Sequence, residues 1–138
     1  MNILEYFNEL NVGDLEGKPI KGLNMLSFIS ILDKWKKGKM DKRFRNGESM
    51  TDLIKRMNLG LKKIIQKNNN LNIIVVSHGG IISAALPYLS KNVNSKDFYT
   101  IKNMDVKNCS ISIFESLIEN NELILNLVEW NNCDHLED

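Results

Sequence analysis

A single imidazole closes the longest apolar run of the chain. The stretch Asn72-Ile73-Ile74-Val75-Val76-Ser77-His78-Gly79-Gly80 is followed by Ile81-Ile82-Ser83-Ala84-Ala85-Leu86. It reads as a buried strand that passes through two glycines into an apolar helix. In an open α/β sheet, ligands bind beyond the carboxyl ends of the strands, and His78 falls there. Gly79 and Gly80 permit a tight turn and a close backbone approach to a ligand. The first amides of the following helix suit an anion. The chemistry such a place suggests is phosphate handling, with protonated His78 donating to a phosphate oxygen as charge develops. A histidine at a strand end is also a common structural residue, so the motif acquires weight only from its surroundings.

A basic connector, Lys36 to Arg45, carries Lys36, Lys37, Lys39, Lys42, Arg43 and Arg45 and is broken at Gly38. It could steer a phosphorylated substrate or simply be a solvated loop. Arg45 is the member taken as a candidate substrate contact. Cys109 and Cys133 have no metal-ligand spacing and read as reduced thiols.

These groups need elements to hold them. Ile3 to Phe7 is a candidate short strand, and Gly13 and Gly17 mark a loop bearing Glu9, Asp14 and Glu16. Pro19 can open a helix, and Leu23, Leu26, Ile29 and Trp35 predict an amphipathic helix over 23–35. Ser49 with Asp52 three positions on forms a capping box. Leu53, Ile54, Met57, Leu61, Ile64 and Ile65 then recur at helical spacing until Asn68-Asn69-Asn70. Pro87 ends or kinks the helix behind His78, and 95–102 reads as a short helix. Cys109 to Glu115 and Leu123 to Glu129 alternate as strands, joined by a turn at Glu119-Asn120-Asn121-Glu122. Alternating helices and strands predict a three-layer α/β domain.

The chain has 138 residues, 43% hydrophobic and 25% charged, with a formal net charge of +1. This is the size and balance of one globular domain. The charge argues against an electrostatic grip on nucleic acid or membrane. No apolar run approaches the ~20 residues of a spanning helix, and no signal peptide pattern opens the chain. A cytoplasmic location is expected.

Five motifs in order then become informative together. They are Phe7-Asn8-Glu9-Leu10-Asn11-Val12-Gly13-Asp14-Leu15-Glu16-Gly17, Gly47-Glu48-Ser49-Met50-Thr51-Asp52-Leu53-Ile54-Lys55-Arg56, the His78 run, Asn108-Cys109-Ser110-Ile111-Ser112-Ile113, and Trp130-Asn131-Asn132-Cys133-Asp134-His135-Leu136. The set resembles the histidine phosphatase superfamily, also called phosphoglycerate mutase-like, over essentially the whole chain. The tail resembles its small alpha-ribazole phosphatase type branch. The resemblance implies a three-layer α/β/α phosphoglycerate mutase-like fold, and phosphomonoester hydrolysis through a phosphohistidine. It implies His78 as the second, phosphate-binding histidine, Glu9 as the acid for the leaving group, and Glu48 at the pocket rim or in support of the site. Gly79 and Arg45 are the other expected substrate contacts. Glu48 reads as a carboxylate interacting with the helix N-terminus more readily than as a directly catalytic group, and Arg56 as a residue that makes a structural ion pair. His135 either closes over the pocket or belongs to a frayed tail.

The family's Arg-His-Gly strand and its second arginine do not occur in this sequence. By the resemblance they would lie upstream of Met1, so that residues 1–138 make a single partial domain lacking the first two strands. The isolated chain is then expected to have little or no activity. No metal or organic cofactor is implied, and the expected partner is a small phosphorylated metabolite. The alternatives are a non-catalytic phospho-ligand-binding or interaction protein and one half of a split phosphatase. Exposed sheet edges would favour a partner chain or self-association.

Overall fold

The computed structural model describes residues 2–68, 71–98 and 105–136. Within them the chain is mixed α/β, the class expected. Helices α1 (Gly22–Lys36), α2 (Met50–Lys67), α3 (Gly79–Leu89) and the short α4 (Ser95–Phe98) precede an antiparallel hairpin of β1 (Ile111–Glu119) and β2 (Glu122–Asn132). Residues 99–102 of the helix expected to follow Ser95, and Asn69 and Asn70 after α2, lie outside the described residues.

Local chemistry explains the firmest elements. The Ser49 hydroxyl accepts from the Asp52 N–H at 3.1 Å, while the Asp52 carboxylate accepts from the Ser49 N–H at 3.0 Å. The capping box therefore starts α2 as its spacing implies. The hairpin turns on Asn120 and Asn121, both left-handed at φ 48° and 63°, as a two-residue turn matched to strand twist requires. Strand β1 starts at Ile111, two residues later than expected, because Cys109 sits in a turn at φ 61°. Strand β2 runs three residues beyond Glu129.

The core gathers where α2 and α3 meet the hairpin. Leu53, Ile81 and Ala85 are fully buried, with Met57, Leu61, Leu123 and Leu125 around them. Behind α3 the chain turns beside β2. Ser90 bridges Leu125 in parallel, and the Asn92 side chain donates to the Leu127 carbonyl and accepts from its N–H, at 2.9 and 2.8 Å. One side-chain amide thus mimics a neighbouring strand. Pro87 lies in the last turn of α3, which ends two residues later.

Three expectations are corrected. Ile3 to Phe7 is not a strand: Glu5–Phe7 forms a 3-10 turn whose Phe7 enters the core. Helix α1 buries only Trp35 of the stripe expected on it; Leu23, Leu26 and Ile29 stay exposed. Its inward face is Phe28, Ile31, Leu32 and buried Trp35, a spacing equally helical, and only packing decides between the two.

The third correction concerns residues 73–76. They join no ladder, and Ile74 and Val76 are 91% and 87% exposed, against 37% and 38% for Ile73 and Val75. Exposure alternates with the period of a strand, one face turned towards the protein and the other open. A strand needs neighbours, and none is present among the described residues. The run is anchored at its end, where the Ser77 hydroxyl donates to the Phe7 carbonyl at 2.7 Å.

Candidate functional site

Two loops meet to build the site. Residues 8–17 and 43–48 are joined by backbone bonds from Asp14 N–H to the Arg45 carbonyl and from Glu48 N–H to the Asn11 carbonyl, at 3.0 and 2.9 Å. Gly13 permits this contact: its φ is +58°, and a Cβ there would collide with the Arg45 carbonyl.

Arg56 of α2 then fixes the loop that carries Glu9. Its guanidinium donates to both oxygens of Glu48, at 2.6 and 3.0 Å, and also to the carbonyls of Tyr6 and Glu9, at 2.8 and 3.1 Å. Glu48 also accepts from the Asn11 N–H at 2.9 Å. Burial pushes the Glu48 carboxyl up, but the Arg56 hydrogen bonds, the Asn11 N–H and the Arg56 charge outweigh it, and its pKa lies below the ordinary carboxylate value. Glu48 therefore braces the Glu9 loop through Arg56 and the Asn11 N–H. The expected ion pair of Arg56 is present, with a wider role than its sequence position suggests.

Glu9 reaches across to α3. Its carboxylate accepts from the N–H groups of Gly80 and Ile81, at 3.2 and 2.9 Å, and from its own neighbour Leu10 at 2.8 Å. The anion at this helix terminus is thus a side chain of the protein, which answers the unpaired amides there. The close approach required of the glycine pair is made by Glu9: a Cβ on Gly80 would lie 2.6 Å from its carboxylate, whereas one on Gly79 would meet only ordinary contacts. Neither glycine has a positive φ, so tight-turn freedom is not what they supply.

His78 is the N-cap residue of α3, its backbone extended and its ring exposed. The other sequence candidates are more dispersed. Arg45 pairs with Asp14 at 3.3 Å and its side chain is 88% exposed. Arg43 pairs with Asp52 and Lys37 with Asp33, so half of the basic connector is engaged in surface ion pairs. His135 is exposed, its Nε2 2.9 Å from the Cys109 carbonyl oxygen. Among the described residues no three His, Cys, Asp or Glu side chains gather as a metal site would require, and no helix is long and apolar enough to cross a membrane.

A cavity of about 220 Å³ adjoins these groups, between α1, the start of α2 and α3. Leu10 and Gly80, which flank the Glu9 carboxylate, belong to its wall. Sequence reasoning missed it because Phe28 and Leu32, which line it beside Trp35, lie off the stripe that periodicity selected on α1.

The sequence model of the histidine phosphatase superfamily (branch 1) matches residues 1–132. The chain belongs to that superfamily. Its relatives include the probable phosphoglycerate mutase GpmB of Proteus mirabilis (strain HI4320), 32% identical over 108 residues. That match takes in 75% of this chain and 46% of the relative, so the chain spans about half the length of the curated protein it matches. Membership in the histidine phosphatase superfamily accounts for the ordered motifs, including those around Glu9 and His78, which the fold brings together at the start of α3.

Proposed function

We propose that this chain carries the substrate-side part of a phosphomonoester phosphatase of the small, alpha-ribazole phosphatase type, with the phospho-accepting histidine supplied from outside residues 1–138. The observation that supports this most is the meeting of Glu9 and the His78 turn at the head of α3. In this reading His78 donates to the phosphate and Glu9 protonates the leaving oxygen. Both Glu9 oxygens are held by backbone amides here, so proton donation requires the carboxyl to swing off α3. Gly79 and Arg45 contact the phosphate, and Glu48 with Arg56 positions the Glu9 loop. The chemistry uses side chains alone, and the substrate is a small phosphorylated metabolite.

The exposed faces of Ile74 and Val76 favour one elaboration: further strands, from the same polypeptide or another chain, pair with residues 72–77 and complete the site. The test is hydrolysis of p-nitrophenyl phosphate by the chain alone and by a longer or two-chain form that supplies an Arg-His-Gly segment. Turnover confined to the second form, and lost in it on His78→Ala, is the expected outcome. Equal turnover in both forms contradicts the reading.

A further inference from the structure

The tail motif and the Asn108–Ile113 motif meet through Asn131 and Ser112. Between the pairs Ile111↔Asn132 and Ile113↔Glu129, two residues of β2, Trp130 and Asn131, oppose the single Ser112 of β1. This is a β-bulge, a device that re-aims a side chain. Asn131 is left-handed there, at φ 56°, a conformation asparagine tolerates better than most residues. Its backbone N–H donates to the Ser112 hydroxyl at 3.0 Å. Its side chain meets residues 105–107, which belong to no helix or strand. The Asn131 amide donates to the Asp105 carbonyl, and its oxygen accepts from the Lys107 N–H, both at 2.9 Å. Val106, between the two, lies against the glycine that follows His78. A Cβ on Gly79 would stand 3.6 Å from the Val106 carbonyl oxygen and 3.8 Å from the Val106 Cβ.

The turn into α3 thus has two neighbours from distant parts of the chain: Glu9 on the N–H groups of Gly80 and Ile81, and Val106 beside Gly79. The His78 ring makes no hydrogen bond among the described residues. Its direction therefore follows the backbone of the turn and what packs on it. We propose that Asn131 is a positioning residue for the phosphate end of the site: by holding Val106 against Gly79, it fixes the turn that presents the His78 ring. Its importance for catalysis rests on the phosphatase reading, whereas the positioning rests on these contacts alone.

Asn131→Gly is the cleanest probe, since glycine accepts the left-handed backbone and only the amide is lost. Asn131→Asp keeps the acceptor for Lys107 and loses the donor to Asp105. Both variants of the full chain are compared with the wild type by heteronuclear NMR, the His78 ring signals being assigned by their loss in His78→Ala. Asn131→Gly should speed amide hydrogen exchange at Lys107 about fivefold, the scale of one neutral hydrogen bond. It should also shift the Gly79 and His78 signals while those of α2 stay in place, and Asn131→Asp should restore both effects in part. In a longer form that supplies an Arg-His-Gly segment, kcat for p-nitrophenyl phosphate should fall about tenfold in Asn131→Gly with KM changed by less than about twofold, as expected when a group acting in the transition state is misplaced. Faster Lys107 exchange with unmoved Gly79 and His78 signals overturns the inference, because the clamp then fails to reach the turn. So does an unchanged kcat, or a shift of signals spread through α2, which marks a merely structural role. Shifted Gly79 and His78 signals, with no turnover by the wild-type longer form, retain the positioning and remove the phosphatase reading.

Discussion

At the scale of single residues, two ionic arrangements place the candidate acid. Arg56 is shared between Glu48 and two loop carbonyls. Arg56→Ala is expected to cost about 2–3 kcal/mol in urea denaturation, less than a fully buried pair because both side chains keep about a fifth of their surface in water. The lowered pKa of Glu48 gives the fold a pH signature. Its contribution is fully present above the reference value of 4.5 and is lost as the pH falls through the lower folded value. Asp52, lowered from 3.8 by the Ser49 backbone and hydroxyl hydrogen bonds, acts in the same direction at slightly lower pH. Between pH 6 and 3 the wild-type chain should lose more stability than Glu48→Gln; parallel curves would contradict this. Glu9 and Gly80 form a coupled pair. Glu9→Ala should cost about 1 kcal/mol through the lost cap. Gly80→Ala should stabilise by about 0.5 kcal/mol only when Glu9 is already Ala, since its Cβ otherwise displaces the carboxylate. Additivity in that cycle would contradict the contact.

At the scale of elements, what could be read from sequence divides by the range of the forces involved. The Ser49 box, the Asn120-Asn121 turn and the α2 stripe depend on neighbours a few residues away, and each forms as read. The face of α1 depends on what lies across from it. Leu23 and Ile29 compete with Phe28 and Leu32 at the same period, and the packing of Phe28 and Trp35 on the Phe44 ring selects the latter face. The Glu9 contact spans more than seventy residues, so spacing indicated that Glu9 and His78 were candidates without indicating that one holds the helix beginning beside the other. The test at this scale is Ser49→Ala, which should destabilise α2 by about 1 kcal/mol and lower the unfolding midpoint without altering the hairpin.

At the scale of the whole molecule, the apolar run 72–77 is the feature least satisfied by its surroundings. Its composition was legible as strand, but strand formation is non-local, and no neighbour pairs with it among the described residues. An unpaired apolar edge promotes association. Ile74→Lys is therefore expected to change the stability of the isolated chain by no more than about 0.5 kcal/mol, as for an exposed site, while reducing self-association in sedimentation velocity runs. A large loss of stability on that substitution would mean that the segment is already packed in solution.

The proposed division of labour between this chain and a nucleophile supplied from outside it is tested most directly by p-nitrophenyl phosphate hydrolysis with the purified chain, its intact mass verified, beside His78→Ala. With the phospho-accepting histidine outside residues 1–138, as proposed, no turnover above background is expected in either protein. Turnover by the chain that disappears in His78→Ala would contradict it, and would mean that residues 1–138 hold a complete catalytic site.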